Sequence, residues 1–431
     1  MNVWPKLIVF LVAGYLAMSR SFAYLGFPPA KLFIGEAAIA SFLLFHWRAV
    51  VGRLLSTAFQ PSIIGGFSAA LLCSFFYGVF ELVHGLANGY PVILALQGFA
   101  FHYYPVCFFI GLWAGRRDPK LLSRTIWAVA WANGVYGLLY LAFLSHIPLG
   151  VPGTVDVPLF GQPAGSAIAI LGVLCVEPRL SRSWLPILLN LLVMLGVQVR
   201  AEFLGFSLGL ILWSLLTRRF GLLLASYAAI AALLAAALLA DFQVRAPGTR
   251  GGYISTREIV GRVVSPVDVD LAAEFAPHAK SLAGTATWRV KWWEAIWDTV
   301  HDSTETALLG EGYGYPLASL VGYKERDIRT PHSIFFYTLA YGGWVGVVVF
   351  FMLQIALAQV LWFSWRISGS PFGLVLWLMF LSGALFGNAF ETPFGAIPFY
   401  LLTGLSAAPA VLEVSEYASL SRTQLLSTAR G

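Results

Sequence analysis

The chain has 431 residues, of which 58% are hydrophobic and 11% charged, with a mean hydropathy of +0.77. A soluble globular chain carries about 25% charged residues, so these figures exclude a soluble enzyme, and the scarcity of polar side chains excludes a disordered chain as well. The net charge of +6 does not point to nucleic acid, because no basic run is interleaved with aromatics and because membrane proteins collect Lys and Arg in their cytoplasmic loops.

A membrane span takes about 20 apolar residues. Apolar runs fall at roughly 6–19, 30–46, 62–83, 92–113, 121–144, 164–176, 184–199, 203–217, 220–240, 333–363, 371–388 and 394–412. They predict an all-α polytopic membrane protein with about twelve transmembrane helices. Lys6 precedes the first run, and Ser21-Phe22-Ala23 resembles a signal-peptide cleavage site. Arg20 adjoins that site and more apolar runs follow at once, so the first run is read as a retained span. Cys73, Cys107 and Cys175 all lie in apolar runs, which suggests neither a disulfide framework nor a zinc site.

Charge sets the expected orientation. One set of alternate connections holds Arg48 and Arg53, then Arg116, Arg117, Lys120 and Arg124, then Arg179 and Arg182, then Arg218 and Arg219, then Arg366. Lys6, Arg422 and Arg430 belong to the same side. The short connections of the other set hold only Arg20, Lys31 and Arg200. This asymmetry places both termini in the cytoplasm, which fits an even number of spans.

One connection is unlike the rest. Residues 241–331 form a long polar segment on the outer side, with four Trp residues and helical periodicity. Loops this long are functional or disordered, and the periodicity argues for order. The chain therefore divides into an N-terminal membrane bundle of about nine spans at 1–240, a large, partly helical loop at 241–331, and about three C-terminal membrane helices with a cytoplasmic tail at 332–431.

The polar residues that could carry chemistry gather at the outer side. In the loop, Trp293, Ile296, Trp297 and Val300 recur at helical spacing and make one face apolar. Trp on such a face suits a membrane interface. Arg289, one turn earlier, would then sit at headgroup depth, where a lipid diphosphate would be, or simply snorkel. Gly310, Gly312 and Gly314 alternate in Leu309-Gly310-Glu311-Gly312-Tyr313-Gly314. They allow a tight turn or a close backbone approach, but form neither a phosphate loop nor a dinucleotide fingerprint. The loop ends at Thr330-Pro331-His332-Ser333. Thr330 can cap the next helix and Pro331 suits its first position, so His332 is expected in the first turn. A helix N-terminus attracts anions and disfavours imidazolium, which makes a neutral His there a general base or a hydrogen-bond partner. In the same helix Gly343 and Gly346 would let a neighbour pack closely.

Arg200 ends the seventh run on the outer side, against the topological bias. A planar guanidinium suits a phosphate or pyrophosphate. A pair with Glu202 is less natural, because i and i+2 do not face each other on a helix. Glu36, Glu81, His46, His84, His102 and Glu391 are isolated within or beside spans. No HExxH motif, DxD-type pair or GxSxG elbow occurs, so metal-dependent or Ser-nucleophile chemistry has no support. On these residues alone a transporter or flippase for a lipid-linked glycan or small solute stays open, as does a non-catalytic scaffold.

The order of these features resembles the O-antigen ligase and O-antigen polymerase superfamily of bacterial envelope glycosyltransferases. The resemblance rests on Arg200-Ala201 at a helix start, Arg289 to Trp293 in a large external loop, Gly310, Gly312 and Gly314, then Pro331 to Ser333, then Gly342-Gly343-Trp344-Val345-Gly346. It covers about residues 190–350, and Glu391-Thr392-Pro393 onward to Gly404 is loosely similar to the family's final span. The chain has Ala201 and Ser333 where Gly and Asn are common in the family.

The resemblance implies about twelve membrane helices of GT-C-like architecture with a large periplasmic loop, in the bacterial inner membrane. It implies transfer of a glycan from an undecaprenyl-diphosphate carrier to a lipid A core sugar or a growing polysaccharide, without metal, nucleotide sugar or other cofactor. By matching position, Arg200 and Arg289 would bind the donor diphosphate. His332 would assist attack by the acceptor hydroxyl, or bind the diphosphate.

Overall fold

The computed structural model describes residues 3–27, 32–154, 157–177, 179–245, 253–264, 269–275, 279–323 and 330–428. Lys31 and Arg430, used above for orientation, lie outside the described residues.

Each apolar run became helix. The first half of the chain contains α1 (Val3–Met18), the short α2 (Arg20–Ala23), α3 (Ile34–Trp47), α4 (Arg53–Ala58), α5 (Ile63–Ala87), α6 (Val92–Tyr103), α7 (Cys107–Arg117) and α8 (Leu121–Ala142). It continues through α9 (Ser166–Val176), α10 (Leu180–Val197), α11 (Arg200–Thr217) and α12 (Phe220–Leu239). The polar segment holds α13 (Thr256–Val264), α14 (Val269–Phe275), α15 (Ala279–Val300) and α16 (Thr304–Leu309). The chain closes with α17 (Ile334–Ser368), α18 (Phe372–Ala384) and α19 (Pro393–Thr428). Two small antiparallel hairpins complete the elements, β1 (Gly26–Phe27) with β2 (Leu32–Phe33), and β3 (Val244–Arg245) with β4 (Tyr253–Ile254).

Local chemistry sets the boundaries. Ser62 caps α5 by accepting from Gly65 N. Pro105 lies in the turn where α6 gives way to α7, since it cannot donate to a continuing helix. Gln198 and Arg218 take left-handed backbone at the ends of α10 and α11, and Gly369 does so after α17.

Among the described residues, seven helices are long and apolar enough to cross a membrane: 34–58, 63–87, 92–117, 121–142, 200–217, 220–239 and 334–368. Four further apolar helices are shorter, at 3–18, 166–176, 181–197 and 372–384. The chain is an all-α polytopic membrane protein.

The core runs along α7, which is buried from Cys107 to Gly115. It packs against α19 at backbone distance, because a Cβ on Gly111 would collide with Leu401 O, and one on Gly404 with Phe108 O. Small residues allow this approach, and in lipid close packing is the main force between helices. A buried amide pair adds direction, with Asn133 Nδ2 donating to Asn190 Oδ1 at 2.8 Å and to Ser166 Oγ at 3.0 Å, which ties α8, α9 and α10 together. By contrast α12 has no buried residue.

Two features place the candidate site. Gly205 of α11 lies against the backbone of Met379 in α18, with its Cβ position 3.3 Å from Met379 O. The start of α11 and the connection 385–392 after α18 thus share one end of the bundle. The polar segment packs on the same end, through α15 against α17 and a contact from Arg289 to Phe386.

Candidate functional site

The Trp-rich helix α15 faces protein. Trp292, Ile296 and Val300 form its buried stripe, and Trp292 Nε1 donates to Leu317 O at 2.8 Å. Trp293 Nε1 donates to Pro331 O at 2.8 Å, while its ring stacks on Phe336 with centroids 5.2 Å apart and planes 8° apart. The expected lipid-facing stripe is thus corrected: of its four residues, only Trp297 is largely exposed, at 42%. The reason is that Trp292 and Trp293 find ring partners and carbonyl acceptors inside the fold.

Trp293 grips the segment that carries His332. That segment is also a correction. His332 does not lie in the first helical turn, since α17 begins at Ile334 with Ser333 at the cap position. Thr330 and Pro331 precede the cap instead of forming it. His332 itself has φ +53°, a left-handed conformation that non-glycine residues adopt rarely. Its ring is half-buried and meets the Trp288 ring at 6.3 Å. Burial, and secondarily the positive charge of Arg289, push its pKa down to about 4. His332 is therefore neutral at pH 7 through burial and the Arg289 charge, not through the helix terminus expected from the sequence. A neutral imidazole can accept a proton from a hydroxyl.

Arg289 is held at the same place. Its Nη1 donates to Phe386 O at 3.2 Å, in the connection after α18. Arg200 opens α11 at this end of the bundle. Two residues on, Glu202 Oε1 accepts from Ala167 N at 3.1 Å, which ties the start of α11 to the start of α9. All three sequence-derived residues thus occur at one end, with Arg289 and His332 as direct electrostatic neighbours and Arg200 reaching that end through the α11–α18 packing.

The structure also places Glu391, which the sequence left isolated: 8% exposed, it lies in the same connection as Phe386. The helix α17 is broken at Gly343, which has φ +56° and ψ −160°. The chain folds back there: the Cβ position of Gly346 is 3.1 Å from Thr338 O, although residues eight apart in a straight helix are about 12 Å apart. The expectation that Gly343 and Gly346 serve a neighbouring helix is therefore only half right. Gly346 does face Tyr77 of α5, but Gly343 makes the break.

The alternating glycines explain how the break survives. Glu311 N donates to Ala340 O at 2.9 Å and Gly312 N to Tyr341 O at 3.0 Å. Tyr313 N donates to Glu81 O at 3.1 Å, and the Tyr313 hydroxyl pairs with His102. Gly310, Gly312 and Gly314 all have positive φ, and a Cβ on Gly312 would sit 2.7 Å from Gly85 N. The turn is a backbone staple between α5 and α17. Among the described residues no group of three or more His, Cys, Asp or Glu could hold a metal ion.

Residues 185–351 match the O-antigen ligase family. Over this stretch the chain is O-antigen ligase-like. The matched region runs from α10 past the break in α17, and so contains Arg200, Arg289, the glycine turn and His332. No curated protein matches the chain significantly. The O-antigen ligase-like region supports a membrane glycosyltransferase-type role, as ligase or polymerase. The connection that receives Arg289, at Phe386, lies beyond it.

Proposed function

We propose that this protein transfers a glycan from undecaprenyl diphosphate to a sugar hydroxyl on the periplasmic face of the bacterial inner membrane. The acceptor is a lipid A core sugar or a growing polysaccharide. In this reading the termini are cytoplasmic, 1–240 and 332–431 form the membrane part, and 241–331 is the periplasmic loop that covers the glycan.

The observation that carries the proposal is the meeting of a neutral His332 with Arg289 at the end of the bundle where α11 presents Arg200. The chemistry follows from charge. The acceptor oxygen attacks the anomeric carbon and loses its proton to the His332 imidazole. The bond between that carbon and the phosphate oxygen breaks, and the electron pair leaves with the diphosphate. Negative charge grows on that oxygen, so guanidinium groups aimed at it stabilise the transition state more than the ground state. The diphosphate is already a good leaving group, so positioning and a base supply most of what remains.

The break in α17 favours a second reading, because discontinuous helices are a device of transporters. Purified protein in nanodiscs, given a lipid-linked oligosaccharide and an acceptor glycan, separates the two. The enzyme reading predicts a new glycosidic bond with release of undecaprenyl diphosphate. Movement of the donor across a vesicle membrane without a new bond would instead establish transport.

A further inference from the structure

The half-helix that follows His332 is anchored at both ends. At its start, Trp293 binds Pro331 O and stacks on Phe336. In its middle, the Tyr337 hydroxyl reaches Gly98 O at 3.5 Å. At its end, the break at Gly343 releases the carbonyls of Ala340, Tyr341 and Gly342 from a continuing helix. The glycine turn takes the first two. The third, Gly342 O, accepts from the Tyr77 hydroxyl of α5 at 2.6 Å. Tyr77 also lies beneath the fold-back, 3.1 Å from the Cβ position of Gly342 and 3.4 Å from that of Gly346.

We infer that Tyr77 is a positioning residue for the transfer reaction: it closes the broken end of the 334–342 half-helix and so fixes His332 at the other end. The inference rests on the function proposed above and assigns a role to a residue outside the matched region. The physical argument has two steps. A backbone carbonyl left without a donor in an apolar surrounding is costly, so without the Tyr77 hydroxyl the break relaxes toward geometries that recover a partner. A nine-residue half-helix is stiff, so a shift at Gly342 is carried along its axis to Ser333, whose carbonyl receives Tyr337 N at 2.9 Å, and from there to His332. Arg289 and Arg200 stand on other elements, α15 and α11, and do not move with it.

This separation gives the test. Tyr77→Phe keeps the ring that packs on Gly342 and Gly346 and removes the hydroxyl, with its bond to Gly342 O and its contacts to Glu81 and the Gly346 backbone. In nanodiscs it is expected to lower kcat about 10- to 100-fold, the scale of an ångström-sized misplacement of a catalytic group, while the donor KM stays within about twofold. Replacement of Tyr77 by 4-aminophenylalanine restores an N–H donor and is expected to recover most of the rate. Hydrogen exchange provides a readout that does not depend on activity: the amides of 334–342 and of 311–312 should exchange faster in Tyr77→Phe, and those of α7 should not. Wild-type kcat together with unchanged exchange in Tyr77→Phe overturns the inference. So does a loss of kcat matched by a rise in KM and faster exchange throughout, which marks a general structural role. If the wild-type protein makes no glycosidic bond, the functional reading fails, and the exchange data still decide whether Tyr77 holds the half-helix.

Discussion

His332 combines a left-handed backbone, a half-buried ring and an adjacent guanidinium. If it takes the acceptor proton, activity requires its neutral form. With a pKa near 4, kcat/KM should be flat from about pH 8 to 5.5 and fall about tenfold per pH unit below 4. Bound diphosphate adds negative charge beside the ring, so the break in the kcat profile should lie at higher pH than that in kcat/KM. Removing the Arg289 charge, as in Arg289→Gln, should also move it upward, by less than the full depression because burial is the larger cause. The same shift has a stability consequence. The unfolded chain takes up the His332 proton first, near 6.5, so His332 opposes folding progressively as pH falls from 6.5 to about 4 and has no such effect above that range. For Arg289→Ala, a transition-state charge contact of this kind predicts a 100- to 1000-fold loss in kcat, as an order of magnitude. Arg289→Lys should recover only part of it, because a lysine lacks the planar fork. Steady-state rates on the reconstituted protein measure both. These residues were legible in the sequence for separate reasons: Arg200 is a cation where positive charge is disfavoured, Arg289 lies one turn before a Trp-bearing helix face, and His332 stands at a helix boundary. The left-handed backbone of His332 was not legible, since it depends on how Trp293 holds Pro331 O from 38 positions away.

At the scale of elements, the apolar runs predicted the helices well because a membrane leaves a helix as the only open-ended way to satisfy the backbone. The break in α17 escaped for the same reason: Gly342-Gly343 lies inside an uninterrupted apolar run, and its third-party donors, Glu311, Gly312 and Tyr77, are distant in sequence. The alternating glycines were visible, but their work as a staple appeared only with the partner carbonyls. Gly343→Ala tests the break. At φ +56° and ψ −160°, with its Cβ position against the Leu308 carbonyl, the substitution should cost about 2–3 kcal/mol, seen as a lower Tm in detergent. Trp293 offers a graded pair. Trp293→Phe keeps the stack on Phe336 and loses one hydrogen bond, a cost of about 1 kcal/mol. Trp293→Leu loses both and should reduce kcat further. Equal rates for the two variants would show that the ring stack does not help to hold the His332 segment.

For the whole molecule, the decisive arrangement is an end of a helical bundle where α15, the segment before α17 and the connection after α18 meet, with α11 packed beside them on α18. Composition established the membrane character of the chain, and the motif order established the resemblance over about 190–350, where the family match covers 185–351. Neither could show that Arg289 reaches Phe386, because nothing in the sequence around Phe386 marks it as a partner for an arginine 97 positions away. In the orientation proposed here, a cysteine placed at an exposed position such as Lys291 should react with a membrane-impermeant thiol reagent added to intact spheroplasts. The exposed native Cys73 lies within the span of α5 and is to be replaced first. The central claim is that Arg200, Arg289 and His332 act on one diphosphate. A cryo-EM structure of the protein in nanodiscs with bound undecaprenyl diphosphate tests it most directly. The account predicts the two phosphates within hydrogen-bond reach of both guanidinium groups, with His332 on the side where the sugar would depart. A diphosphate bound elsewhere, or contacted by neither arginine, would contradict it.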